Sequence, residues 1–254
     1  MSKERNQNSS IYFIFYLLVV ENIFFLIKFK LPMFKLYYIP LNSECRVAKL
    51  ILHEKKIKFS LINEPIWKRR EQFLKINPEG SLPVVINPDG NAIIGYEILA
   101  EYLDEVNLGE KILGKNSSDN LEIRRLSRWI GKKFNREVTE NIVDERVFKS
   151  LKGLGEPSSE TLKAGRLNLK NHLEYFEWLL KKRSFLAGET FSLADLVYSS
   201  FLSSLDYLGE INWDSITFTK KWYAQIKSRP SFRDLLEEKI YEVPPSRHYS
   251  DLDF

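Results

Sequence analysis

The strongest constraint on this chain is a change of hydrophobic period partway along it. Up to about Val106 the apolar residues switch between strand-like and helix-like spacing, and beyond Asp119 every long segment repeats at helical spacing only. The first region opens with a short β-like run at residues 35–39, which Pro40 ends. A helix follows, with Ser43 as the expected N-cap and Val47, Leu50 and Ile51 as its apolar stripe. Residues 58–62 read as the next strand and 70–76 as a short helix. Residues 82–86 and 92–94 flank Asn87-Pro88-Asp89-Gly90, residue types that suit a hairpin turn. Residues 98–103 return to helix. The order βαβαββα predicts a small α/β layer in which a parallel unit precedes an antiparallel hairpin.

In the second region, Leu121, Leu126, Trp129, Ile130, Phe134, Val138 and Ile142 recur mostly three and four apart, a core stripe rather than a cofactor box. Residues 161–182 repeat the pattern with His172 on it, read as a packed histidine. Ser192-Leu193-Ala194-Asp195 is a capping box with Asp in place of the usual Glu, and Phe191 is placed to pack on Leu196. The role of Ser192 and Asp195 is therefore structural. These signals divide the chain into an α/β domain at 33–113, a helical domain at 119–240 and a tail at 241–254, with the short polar linker 114–118 between the domains.

Composition removes several classes of function. The single cysteine, Cys45, excludes an intramolecular disulfide framework and a cysteine-built zinc site, and a lone helix cysteine reads as a small packed hydrophobe. The three histidines, His53, His172 and His248, show no ligand spacing, so no metal is expected. A net charge of +4, evenly spread, is too small for a nucleic-acid footprint. Residues 1–32 stand apart. The 19 residues from Ile11 to Phe29 are long enough for a membrane helix, yet Glu21 would lie near the bilayer centre at a cost of about 2.5–3.5 kcal/mol. Three readings remain open for them: a working start at Met33, a membrane anchor, or a helix docked on the fold. Membrane contact is expected only if they are translated.

An α/β layer carrying LPVV after NPEG, then EYL, an all-helical region, the SLAD box and Ser228-Arg229-Pro230-Ser231-Phe232, in that order, resembles the glutathione transferase family. The resemblance covers about residues 33–236. It implies a thioredoxin-like N-terminal domain followed by an all-helical C-terminal domain, a homodimer, and a cis peptide before Pro83 that lets the backbone of Leu82 face a bound peptide. Members activate the thiol of glutathione with a hydroxyl or thiol at the start of the first helix. Matching Arg46 and Lys49 to the basic pair common in that helix places this position at Asn42, with Ser43 the nearest hydroxyl. Asn42 and Ser43 are the catalytic candidates if the chain is an enzyme, and helix capping is the competing role of Ser43. The acid and serine that hold the γ-glutamyl group align with Gly95 and Tyr96. Their replacement removes two charge-assisted contacts of roughly 1.5–3 kcal/mol each, which weakens the case for glutathione and leaves no cofactor expected.

The tail has two readings. Pro244 and Pro245 stiffen an extended lead into an acidic, aromatic terminus, either a recognition element or a segment folded back on the helical domain. That ending, with Trp129…Lys133-Phe134…Glu137-Val138-Thr139, Leu205-Asp206-Tyr207-Leu208-Gly209 and the run from Trp222 to Pro230, resembles one branch of the family: transferase-like division proteins of alphaproteobacteria that bind the tubulin-like protein FtsZ. This implies a cytoplasmic, non-enzymatic, dimeric binding protein at the division site. His248, Tyr249, Asp251, Leu252, Asp253 and Phe254 are then the partner-contact residues. The rival expectation is an active transferase of the same fold that uses Asn42 or Ser43.

Overall fold

Alternation within β1 (Phe34–Tyr38) explains where the sheet lies: Phe34 and Leu36 are buried and Lys35 between them is exposed, so one face of the strand meets the core. β1 pairs in parallel with β2 (Phe59–Asn63) and antiparallel with β3 (Val84–Ile86), which pairs antiparallel with β4 (Ala92–Ile94). The sheet order is β2-β1-β3-β4. The computed structural model describes residues 33–240 and 243–252, so the readings made of residues 1–32, Asp253 and Phe254 lie outside the described residues.

Helix α1 (Ser43–Glu54) joins β1 to β2, α2 (Glu71–Ile76) precedes the hairpin, and α3 (Tyr96–Glu105) follows it. The start of α1 differs from the sequence reading. Asn42, not Ser43, is the N-cap, its Oδ1 accepting the Cys45 N–H at 2.9 Å. Leu41, fully buried at φ 64°, turns the chain so that Asn42 reaches the helix end and Ser43 falls inside the first turn. α3 likewise starts earlier than its apolar stripe suggested, at Tyr96. Gly95 stands before it at φ 87°, where a glycine is favoured, and donates its N–H to the Pro83 carbonyl at 2.9 Å. The Leu82–Pro83 peptide is cis.

The helical region begins with α4, which runs through residues 117–151 as Ser117–Arg128, a π-type stretch Trp129–Phe148 and Lys149–Leu151. Then come α5 (Ser159–Leu180), α6 (Leu193–Tyr207), α7 (Thr217–Lys227) and the short α8 (Arg233–Leu236). Every residue of α6 is buried. It packs against α1 on one side and against α4 and α7 on others, so the two regions share a core along it. Ser199, Ser200, Ser203 and Ser204 give α6 a small, polar-tipped face that α1 can approach closely. Asp195 anchors the start of α6: it accepts the Ser192 N–H, the Leu186 N–H at 2.8 Å and the Trp222 indole N–H at 2.9 Å. Among the described residues no helix is long and apolar enough to cross a membrane, and no group of side chains is arranged to hold a metal ion.

Candidate functional site

The corner between β1 and α1, the cis peptide and the start of α3 bring the aligned positions together at the junction of sheet and helices. Their side chains are largely committed to the fold. Asn42 is half-buried and uses its carbonyl oxygen on Cys45. Ser43 is buried, and its hydroxyl donates to Ser204 Oγ of α6 at 2.9 Å, which in turn donates to the Leu41 carbonyl at 3.1 Å. That hydroxyl points into the domain junction. Cys45 is buried as well, and burial raises its thiol far above the ordinary range.

Leu82 and Pro83 are buried beside the sheet. Tyr96 is only 1% exposed and packs against α4, where a Cβ in place of the Gly131 hydrogen would collide with its hydroxyl. Burial raises the Tyr96 phenol well above its usual value, with Glu97 adding to the effect. Positions 95 and 96 thus present neither a carboxylate nor an accessible hydroxyl to a ligand. The contacts that the family makes to a γ-glutamyl group do not fit the residues here.

Two carboxylates that the sequence did not single out, Glu44 and Asp144, are half-buried in the fold. Glu44, half-buried in the first turn of α1, has its carboxyl pushed up to about 7, first by burial and then by Glu97, with Lys132 opposing and Glu140 and Glu79 adding. Asp144 on α4 is pushed up to about 6 by burial, Lys152 opposing and Glu140 adding. Nothing in local spacing marks Glu44, because its environment comes from α3 and α4.

The tail is not free. Residues 243–252 fold back over the end of α6: Ser246 donates its N–H to the Tyr207 carbonyl and its hydroxyl to the Asp206 carbonyl, both at 2.7 Å, and Tyr207 donates its hydroxyl to the Val243 carbonyl at 2.7 Å. His248 Nε2 lies 2.8 Å from the buried Asp206 carboxylate. Tyr249 is fully buried. Its hydroxyl donates to the Leu235 carbonyl at 2.9 Å and accepts from Arg46 at 3.1 Å, and its ring meets Tyr207 edge-on. Tyr249 is packed as a core residue, with ring and hydroxyl both satisfied inside the fold. Asp251 and Leu252 are exposed, Leu252 by 43%.

The same cage holds an acid that sequence reading missed. Glu238 accepts from Arg46 Nη2 at 2.8 Å and Nε at 3.2 Å, from Lys49 at 3.0 Å and from the Leu41 N–H at 3.1 Å. Arg46 and Lys49 sit among the apolar residues of α1, which signals that an acid must answer them if they are buried, but not which acid.

The pattern defining the "Glutathione S-transferase, N-terminal domain" matches residues 44–106, and that of the "Glutathione S-transferase, C-terminal domain" matches residues 143–239. The chain is 34% identical over 222 residues to FtsZ-localized protein A of Caulobacter vibrioides, covering 86% of this chain and 97% of that one. Among solved structures, a glutathione S-transferase from Rhodospirillum rubrum superposes with a TM-score of 0.85 at 42% identity, covering 87% of this chain and 100% of that one. FzlA from C. crescentus superposes with a TM-score of 0.84 at 34% identity over the same shares.

Proposed function

The chain belongs to the glutathione S-transferase family, and from that premise we propose that it is a transferase-fold binding protein acting in cell division at the FtsZ polymer. The observation that carries this reading is the 34% identity, along nearly the whole of the relative, to a protein named for its localization with FtsZ. The chemistry of the junction supports it. Ser43 spends its hydroxyl on Ser204, and Tyr96 fills the seam against Gly131. A scaffold reused for protein contact has no need of those groups for glutathione.

The chain acts in this reading as a homodimer. α3 carries Glu97, Glu101 and Glu105 at successive turns beside the exposed Ile98, and the N-terminal part of α4 carries Arg124, Arg125 and Arg128 around the exposed Leu121, with Lys115 just before the helix. Arg124 keeps Glu101 of its own chain at 3.0 Å, so a two-fold contact sets Glu97 and Glu105 of one copy against Lys115 and Arg128 of the other and buries both apolar residues. Two copies then give two-point attachment to a polymer. The site of action is the division plane in the cytoplasm, and the contact includes Asp251 and Leu252, with Asp253 and Phe254 beyond them.

Co-sedimentation of the purified protein with GTP-assembled FtsZ polymers tests the reading, with titration of millimolar glutathione alongside. Saturable pelleting with polymer and no glutathione heat beyond dilution is the expected result. Saturable glutathione binding without polymer binding would overturn it in favour of a transferase.

A further inference from the structure

We propose that the C-terminal strap, residues 243–252, is a coupling element that holds the β1–α1 corner through Tyr249, Arg46 and Glu238, so that a partner drawing on the strap also loosens the corner at Asn42. The proposal rests on the reading above only for the partner's identity. The coupling itself is a property of the chain alone.

Three segments remote in sequence meet at one guanidinium. Arg46 donates to Glu238 beyond α8, to Ser203 of α6 and to the Tyr249 hydroxyl of the strap. The oxygen of Glu238 that takes Arg46 also takes the N–H of Leu41, the left-handed residue that turns the chain into α1. The Tyr249 hydroxyl closes the circuit by donating to Leu235 of α8, three residues before Glu238. Arg46 and Lys227 also lie over the face of the Tyr249 ring, at 5.9 and 5.7 Å from its centre.

Arg46 is 2% exposed and the Glu238 side chain 7%, so water does not replace a lost partner. In such a network the loss of one hydrogen bond redistributes the remaining bonds, and the disturbance travels along the circuit rather than staying at the bond removed. Release of Tyr249 is thus transmitted through Arg46 and Glu238 to Leu41 and to the cap at Asn42. The handle is short, because Asp251 and Leu252, both exposed, lie within three residues of Tyr249.

Hydrogen exchange on the full chain tests the coupling. Tyr249→Phe keeps the ring and removes the hydroxyl. It is expected to speed exchange of the Leu41 and Cys45 amides about tenfold while the β3–β4 hairpin is unchanged. Acceleration confined to residues 243–252 overturns the proposal. Glu238→Gln approaches from the other end and is expected to speed exchange of the Ser246 and Tyr249 amides, since coupling between two sites is reciprocal. A strap unaffected by it also overturns the proposal. The third arm adds FtsZ polymer to the unaltered protein. Binding that speeds the corner amides supports transmission, and binding that leaves them unchanged overturns it. Failure to bind removes the partner reading, and the two variants still decide the coupling.

Discussion

The guanidinium of Arg46 and the carboxylate of Glu238 are separated by 192 residues in the chain and by 2.8 Å in the fold, both almost wholly buried. This pair ties α1 of the sheet region to the segment after α8, with Lys49 as a second cation. Glu238→Ala is expected to lower the unfolding free energy by about 3–5 kcal/mol, because it leaves two buried cations without their acid. Urea denaturation at neutral pH measures it, and a loss below about 1 kcal/mol would show that the pair is not structural.

The same pair sets a pH dependence. Burial alone raises the Glu238 carboxyl, but Arg46 and Lys49 outweigh it and leave the group below its ordinary value. A depressed acid contributes stability that is present above its unfolded value near 4.5 and lost as pH falls through the folded one. The unaltered protein is expected to lose stability below that pH more steeply than Glu238→Gln, read as urea midpoints through the acid range.

Glu44 works in the opposite direction. Its folded value near 7 exceeds the ordinary 4.5, so the folded state holds the proton more tightly and stability falls as pH rises between the two values. Glu44→Gln is expected to be more stable than the unaltered protein at about pH 8, by about 1–2 kcal/mol, and to match it near pH 4. Thermal melts at the two pH values decide it; an equal difference at both would mean that the carboxyl's charge is not involved.

Two truncations separate the strap from its tip. Ending the chain after Pro245 removes Ser246, His248 and Tyr249, and is expected to cost about 3 kcal/mol or more through the lost Tyr249 packing and the hydrogen bonds it and His248 make to Arg46 and Asp206. Ending it after Ser250 leaves those contacts in place, and is expected to keep the melting temperature and lose polymer co-sedimentation. Retained sedimentation by the shorter cut would remove Asp251 and Leu252 from the contact.

The seam at Gly131 predicts a specific rescue. Gly131→Ala sets a methyl against the Tyr96 hydroxyl and is expected to cost about 1–3 kcal/mol by overpacking. Tyr96→Phe in the same chain removes the clashing oxygen and is expected to recover most of the loss. A double-mutant cycle by denaturation gives the coupling, and strictly additive effects would contradict the packing described.

Local chemistry carried much of the fold. The switch of period near residue 119, the turn at Asn87–Gly90 and the box at Ser192–Asp195 each depend on residues within a few positions of one another, so the chain alone specified the two regions and the hairpin. The choice at the start of α1 was different. Asn42 and Ser43 are comparable caps by residue type, and Ser204, 161 residues from Ser43, is what draws the serine hydroxyl inward.

The tail makes the division clearest. Composition read residues 248–254 as one acidic, aromatic unit with two competing fates. The fold splits it, burying Tyr249 against Arg46 and Leu235 and leaving Asp251 and Leu252 outside. What the sequence determined by itself was therefore element type, order, turns and caps, because these arise from short-range backbone and side-chain chemistry. Tertiary structure alone decided which hydroxyl faces inward, which acid answers Arg46 and how far the tail is docked. Those outcomes depend on buried polar groups finding partners across the chain, and a charge removed from water accepts whichever partner the packed helices bring within reach.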